Sequence, residues 1–161
     1  MSTTTNRIDD RIDDRIEKQV LLRAPRSRVW QALADARSFG EWFGVELAGA
    51  FAPGARLAGK ITHPGYEHVP FEITVERMEP ERLFSWRWHP NAIDPAADYS
   101  GEPTTLVVFE LEEATEGTLL KVVESGFDGI PPARRAAAYR GNQGGWEAQM
   151  KAIERYVGRA A

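Results

Sequence analysis

Read from the amino terminus, the apolar positions first alternate, then recur at helical spacing, alternate again over five segments, and end on one long helical stripe. Residues 16–23 carry Val20 and Leu22 on one face and Gln19 and Leu21 on the other, a period of two that predicts a strand. Ala24-Pro25 ends it, because proline donates nothing to a ladder. Pro25 is also suited to open a helix, where its missing N–H would have no partner anyway. Val29, Trp30 and Leu33 give that helix an apolar face, and Phe39, Trp42 and Phe43 predict a second short helix or turn closed by Gly44.

Alternation then returns, broken by turn residues. Strands are predicted over 55–62, 68–78 and 83–89, separated by Pro64-Gly65 and Glu79-Pro80-Glu81. In the third, Phe84, Trp86 and Trp88 alternate with Ser85 and Arg87. Residues 90–103 hold three prolines and little periodicity, which predicts an exposed loop. Two further strands follow over 104–113 and 118–125. In the first, Val107, Phe109 and Leu111 share one face.

Pro131-Pro132 opens the last element. Tyr139, Trp146, Met150, Ile153 and Val157 fall at steps of seven, four, three and four, a single apolar helical stripe. Gly141, Gly144 and Gly145 interrupt its first half, each costing about 1 kcal/mol against alanine. The glycines predict a bend, a late start or the close approach of a neighbouring group. A sheet with one apolar face and one long amphipathic helix must bury each against the other, so the fold class is α+β.

Composition narrows the function. The chain has 161 residues, enough for one domain with a real core, and a formal net charge of −4. That balance leaves no surplus of Lys and Arg to neutralise phosphates, which argues against nucleic acid as a partner. No apolar run is long enough to predict a transmembrane segment, and the start Met1-Ser2-Thr3-Thr4-Thr5 lacks the apolar stretch of a secretory signal. There is no cysteine, so thiol nucleophiles, zinc thiolates and disulfides are excluded. The expected location is cytoplasmic. Residues 1–15, with the repeat Arg7-Ile8-Asp9-Asp10 and Arg11-Ile12-Asp13-Asp14, read as a disordered leader, and residues 16–161 as the single domain. A short partner-bound helix aligning Ile8, Ile12 and Ile16 is the alternative for the leader.

Several short motifs carry a resemblance: Val29-Trp30-Gln31-Ala32-Leu33, Glu41-Trp42-Phe43-Gly44, the run from Pro80 to Trp88, Leu111-Glu112-Glu113, Gly117-Thr118, Glu124-Ser125-Gly126-Phe127 and Gly145-Trp146. In this order and spacing, over roughly 16–158, the chain resembles the START-like (SRPBCC, helix-grip) superfamily. Within it, the likeness is to the branch named after the C-terminal domain of the activator of the heat-shock protein 90 ATPase. The resemblance implies a curved antiparallel sheet wrapped around a long C-terminal helix, with two short helices after the first strand and a cavity between sheet and helix. Its motifs belong to the scaffold and name no reaction. The co-chaperone role goes with members that carry a separate N-terminal domain, for which this chain has no room.

The candidate pocket residues are Trp42, Phe71, Trp86, Trp88, Phe109, Glu124, Trp146 and Met150. The tryptophans come from three separated elements that the implied fold brings around one space, and aromatic walls suit apolar or ring-shaped ligands. The bland alternative is that they fill the core. Glu124 shares a strand face with Leu120 and Val122, so it points toward the core, where a carboxylate must find a partner. Arg87 is one candidate partner, though alternation sets it opposite Trp86 and Trp88. His63 and His68 flank a turn and could face each other, with Glu67 as a third ligand, but the spacing of a metal site is missing. They read as exposed turn histidines, and no metal or cofactor is expected. Ser85, Ser100 and Ser125 lack a nucleophile elbow, and no glycine-rich phosphate loop follows a strand. No catalytic residue is assigned. The first functional reading is a binding protein for an apolar or aromatic small molecule. The alternatives are an enzyme on the same fold using a pocket Glu or His, and a chaperone-activator-like interaction domain. Ligand identity and oligomeric state stay open, a homodimer included.

Overall fold

The computed structural model describes residues 13–94 and 96–159. The leader expectation therefore falls almost wholly outside the described residues. At its edge, Asp14 accepts hydrogen bonds from the backbone N–H groups of Gly126, Phe127 and Asp128. Arg15 opens the first strand.

The elements run in the predicted order. Strand β1 is Arg15–Leu22, followed by helices α1 (Arg26–Ala34) and α2 (Ala36–Phe43). Strands β2 (Val45–Leu47), β3 (Arg56–Ile61), β4 (Pro70–Glu79), β5 (Leu83–Trp88), β6 (Thr105–Ala114) and β7 (Gly117–Ser125) follow. A 3-10 turn over Phe127–Gly129 leads into helix α3, Pro132–Arg159. All strand pairs are antiparallel, in one seven-stranded sheet of order β1-β7-β6-β5-β4-β3-β2. This is the α+β helix-grip architecture: a curved sheet gripping a long C-terminal helix, with two short helices after the first strand.

Local chemistry explains the joints. Asp35 ends α1 and caps α2, its carboxylate accepting from the Ser38 backbone N–H at 3.0 Å and the Ser38 hydroxyl at 2.8 Å. Gly44 closes α2 in the left-handed region at φ 90°, where glycine carries no Cβ penalty. Gly40 has a different reason: a Cβ there would lie 2.3 Å from the carbonyl oxygen of Val45, so the side chain must be absent for α2 to fold back onto β2. The short strand β2 was not anticipated. Three residues are too few for a period of two to register, and pairing with β3 supplies what local pattern does not.

The register of β4 on β5 shifts between Val75 and Arg77, a bulge that adds twist and bends the sheet. The buried Ser85 hydroxyl accepts the Arg77 N–H that the bulge turns inward, at 3.2 Å. Helix α3 is about 42 Å long at 1.5 Å per residue. Its predicted stripe, Tyr139, Trp146, Met150, Ile153 and Val157, is buried throughout, joined by Ala138. The ring cluster between sheet and helix is centred on Trp86, which meets Phe39, Phe84, Phe109 and Trp146 at 5.2–6.3 Å between centroids. These edge-on and tilted contacts are the favoured arrangements of aromatic quadrupoles.

Candidate ligand-binding site

The deepest polar feature of the core is Glu124, and its partners come from three elements. It lies on the inward face of β7 beside Leu120 and Val122 and is fully buried. The Trp88 indole N–H of β5 donates to Oε2 at 2.8 Å, and the Thr105 hydroxyl of β6 lies 2.5 Å from the same oxygen. From α3, Trp146 Nε1 donates to Oε1 at 2.8 Å, and the Asn142 amide donates to both oxygens, at 2.9 and 3.2 Å. Asn142 and Trp146 are one helical turn apart, so a single face of α3 delivers both donors. Among the described residues no cation is paired with Glu124 in a salt bridge. Arg87, the candidate partner, points out of the opposite face of the sheet and pairs with Glu76 at 2.7 Å. Donors alone surround the carboxylate, which fits a group that, ionised, only accepts.

In front of this network lies an open cleft of about 1310 Å³. The end of α2 (Trp42, Phe43), strands β2 to β4, the turn carrying Tyr66 and Val69, the loop after Trp88 and the middle of α3 enclose it. Phe43, Phe71 and Trp88 form a continuous wall, with Phe43 5.7 Å from Phe71 and Phe71 5.8 Å from Trp88. On the helix side the wall is Gly141, Asn142, Gly145, Ala148, Gln149 and Ala152. This explains two of the three glycines. A Cβ on Gly145 would project into open space, and one on Gly141 would touch the Asn91 amide of the facing loop at 3.4 Å. Small residues here keep α3 from filling the cleft.

The loop from 89 to 104 forms one lip. Arg134, in the first turn of α3, pins it: its guanidinium donates to the Glu102 carboxylate at 2.8 Å and to the carbonyls of Pro90 and Asn91, and it stacks over the Tyr99 ring at 4.7 Å. Around the rim, Arg56 pairs with Glu72 at 2.8 Å, which raises the basicity of the guanidinium. Asp98 accepts from the Ser100 hydroxyl and backbone N–H, and both hold its carboxyl below the ordinary range.

Of the candidate residues, Trp42, Phe71 and Trp88 line this cleft, whereas Trp86, Phe109, Glu124, Trp146 and Met150 lie behind its wall in the core. Sequence reasoning missed Phe43, Asn142 and Gln149. Asn142 carried a signal: it stands at i−4 from Trp146, a polar residue on the apolar stripe, flanked by glycine. His63 and His89 lie on the rim, and His89 Nε2 is 3.0 Å from the Glu102 carbonyl oxygen. Among the described residues no group of three His, Asp or Glu side chains is placed to hold a metal ion. No described helix is long and apolar enough to cross a membrane.

A family model described as "Activator of Hsp90 ATPase homolog 1-like protein" matches residues 23–158. The chain belongs to this family. No curated protein matches the sequence at a significant level. Among solved structures, the chain is similar to protein MLL2253 from Mesorhizobium loti, with a TM-score of 0.72 at 24% identity, covering 91% of this chain and 98% of that one. It is also similar to DynU16, a protein of the dynemicin biosynthetic locus, with a TM-score of 0.70 at 26% identity over 90% of this chain but only 47% of that one. The Aha1 dimer from Colwellia psychrerythraea, a solution structure, shares the fold with a TM-score of 0.66 at 15% identity, covering 89% and 95%.

Proposed function

We propose that this member of the family binds an apolar, aromatic small molecule in the open cleft and holds it without transforming it. The observation that carries the reading is the wall of Phe43, Phe71 and Trp88 facing a helix stripped of side-chain bulk at Gly141 and Gly145. A cleft walled by rings with a few polar groups is the usual form of a small-molecule site. Its volume, about 1310 Å³, suits a ligand of several fused or linked rings. The carboxylate best placed for acid–base work, Glu124, is occupied on both oxygens and shut behind Trp88 and Asn142. That favours binding over catalysis.

The test is to fill the cleft from the helix side. Gly145→Leu places a side chain in the open space and improves helix propensity by roughly 0.8 kcal/mol. The variant is expected to keep or raise the melting temperature while losing the affinity for hydrophobic fluorescent probes that wild type shows. Gly144→Leu is the control, since Gly144 also faces open space but lies off the cleft. A Gly145→Leu protein that binds probe as wild type does would sink the assignment of the site.

A further inference from the structure

The two amides on the helix side of the cleft have their polarity set by what they already hold. Asn142 spends its NH₂ on both oxygens of Glu124, and Gln149 donates its NH₂ to the Phe43 carbonyl at 2.9 Å. A carboxylate and a backbone carbonyl both accept here, so neither amide can be reversed without losing its bond. Each is thereby left with its carbonyl oxygen free. Among the described residues neither oxygen receives a hydrogen bond, and neither is a buried atom lacking a partner, so both remain open on residues that line the cleft. The indole N–H of Trp88, the other polar group on the aromatic wall, is already spent on Glu124.

The charges point the same way. Glu124 lies directly behind Trp88 and Asn142, and Asp94 and Asp98 line the rim. Arg56 is paired with Glu72. Arg155 is exposed and lies at the other end of the α3 wall, about 20 Å along the helix from Asn142. The helix wall of the cleft thus carries two acceptors, beside the negative charges of Glu124, Asp94 and Asp98.

We infer that Asn142 and Gln149 make this cleft selective for neutral, ring-based ligands that carry hydrogen-bond donors, hydroxyl or N–H, and that it discriminates against aromatic carboxylates. The inference rests on the proposed cleft and deepens it. The two acceptors are seven residues apart on one face of α3, about 10 Å along the axis, so a ligand with a donor at each end of two linked rings satisfies both.

A matched series tests this with the protein as it stands: biphenyl, biphenyl with one terminal hydroxyl, biphenyl with a hydroxyl at each end, and biphenyl with one terminal carboxylate. Affinities are read by calorimetry or by displacement of a fluorescent probe at neutral pH. Each hydroxyl is expected to tighten binding roughly three- to tenfold, and the carboxylate to bind about tenfold more weakly than the mono-hydroxy compound. Gln149→Leu is expected to lower the ratio of diol to biphenyl affinity, measured on the variant itself, to that of the mono-hydroxy compound over biphenyl. Should that variant not fold, the wild-type series decides alone. Equal affinity for biphenyl and its diol, or a carboxylate as tight as the mono-hydroxy compound, overturns the selectivity and leaves the cleft reading standing. Failure of every compound to bind overturns both.

Discussion

Replacing Glu124 by Gln changes one oxygen into an NH₂ and almost nothing in volume, so its cost reports the donor ring alone. Oε2 faces Trp88 and Thr105, Oε1 faces Trp146, and Asn142 bridges the two. Thr105 can turn its hydroxyl to accept, and Asn142 can reverse its amide, but an indole can only donate. Wherever the new NH₂ sits, either Trp88 or Trp146 is left with a buried N–H against another donor. An orphaned buried donor costs about 1–3 kcal/mol. Removal of an uncompensated buried charge works in the opposite direction, yet the four donors already solvate that charge. We therefore expect Glu124→Gln to lose about 2 kcal/mol, or roughly 4–8 °C in melting temperature for a domain of this size. Glu124→Leu, which orphans all four donors, should lose more than about 4 kcal/mol. Urea denaturation followed by circular dichroism measures both. A Gln variant as stable as wild type, or a Leu variant more stable than the Gln, would refute the reasoning, because the charge would then be a burden and not the hub of the network.

Two further predictions concern residues around that hub. Trp86 and Trp146 are both buried, but among the described residues the Trp86 indole N–H has no acceptor, whereas that of Trp146 donates to Glu124; Trp146→Phe should therefore destabilise by at least about 1 kcal/mol more than Trp86→Phe, and equal losses in denaturation would contradict it. Asp35 caps α2 and its carboxyl is held below the ordinary value of 3.8, first by the Ser38 backbone N–H and then by the Ser38 hydroxyl. Asp35→Ala should cost about 1 kcal/mol at neutral pH. A depressed carboxyl contributes stability above its unfolded value and loses it as pH falls through the lower folded one, so the gap between wild type and variant should narrow below pH 3.8. A gap that widens in acid would show that the charge plays no part in the cap.

The fold was legible where burial imposes a period. Strands β3 to β7 stand within about two residues of the alternating runs, because a sheet with one wet face must alternate. The α3 stripe is buried at every position that seven-four-three-four spacing marks. What local pattern could not carry was long-range: β2 exists through its pairing with β3, and the β4 bulge through Ser85, eight residues along the chain. Glu124 was singled out correctly as inward-facing, but its partners could not be read. They lie 18 to 36 residues away on three elements, and the candidate of opposite charge, Arg87, is turned to the other face by alternation.

The same limit separates core from cleft. Trp86 and Trp88 are two residues apart on one strand face, and no local property distinguishes them. One ends fully buried in the ring cluster, while the other lies at the strand end, where the sheet opens and the loop from 89 departs. Trp146 meets both rings, 6.3 Å from Trp86 and 5.9 Å from Trp88. What divides them is the rest of their surroundings: Trp86 is enclosed by Phe39, Phe84 and Phe109, whereas Trp88 borders the cleft together with Gly145 and Asn142. Helix propensity alone would replace Gly141, Gly144 and Gly145 with alanine for roughly 3 kcal/mol. At Gly141 and Gly145 that gain would come at the expense of the open volume in front of Trp88. Glu124 then explains how a helix weakened at that point still holds its place: two of its residues, Asn142 and Trp146, are tied to the sheet through one buried carboxylate, within a turn of the glycines. Cleft and network are two consequences of the same short segment, and removing the carboxylate should therefore loosen the cleft as well as the core.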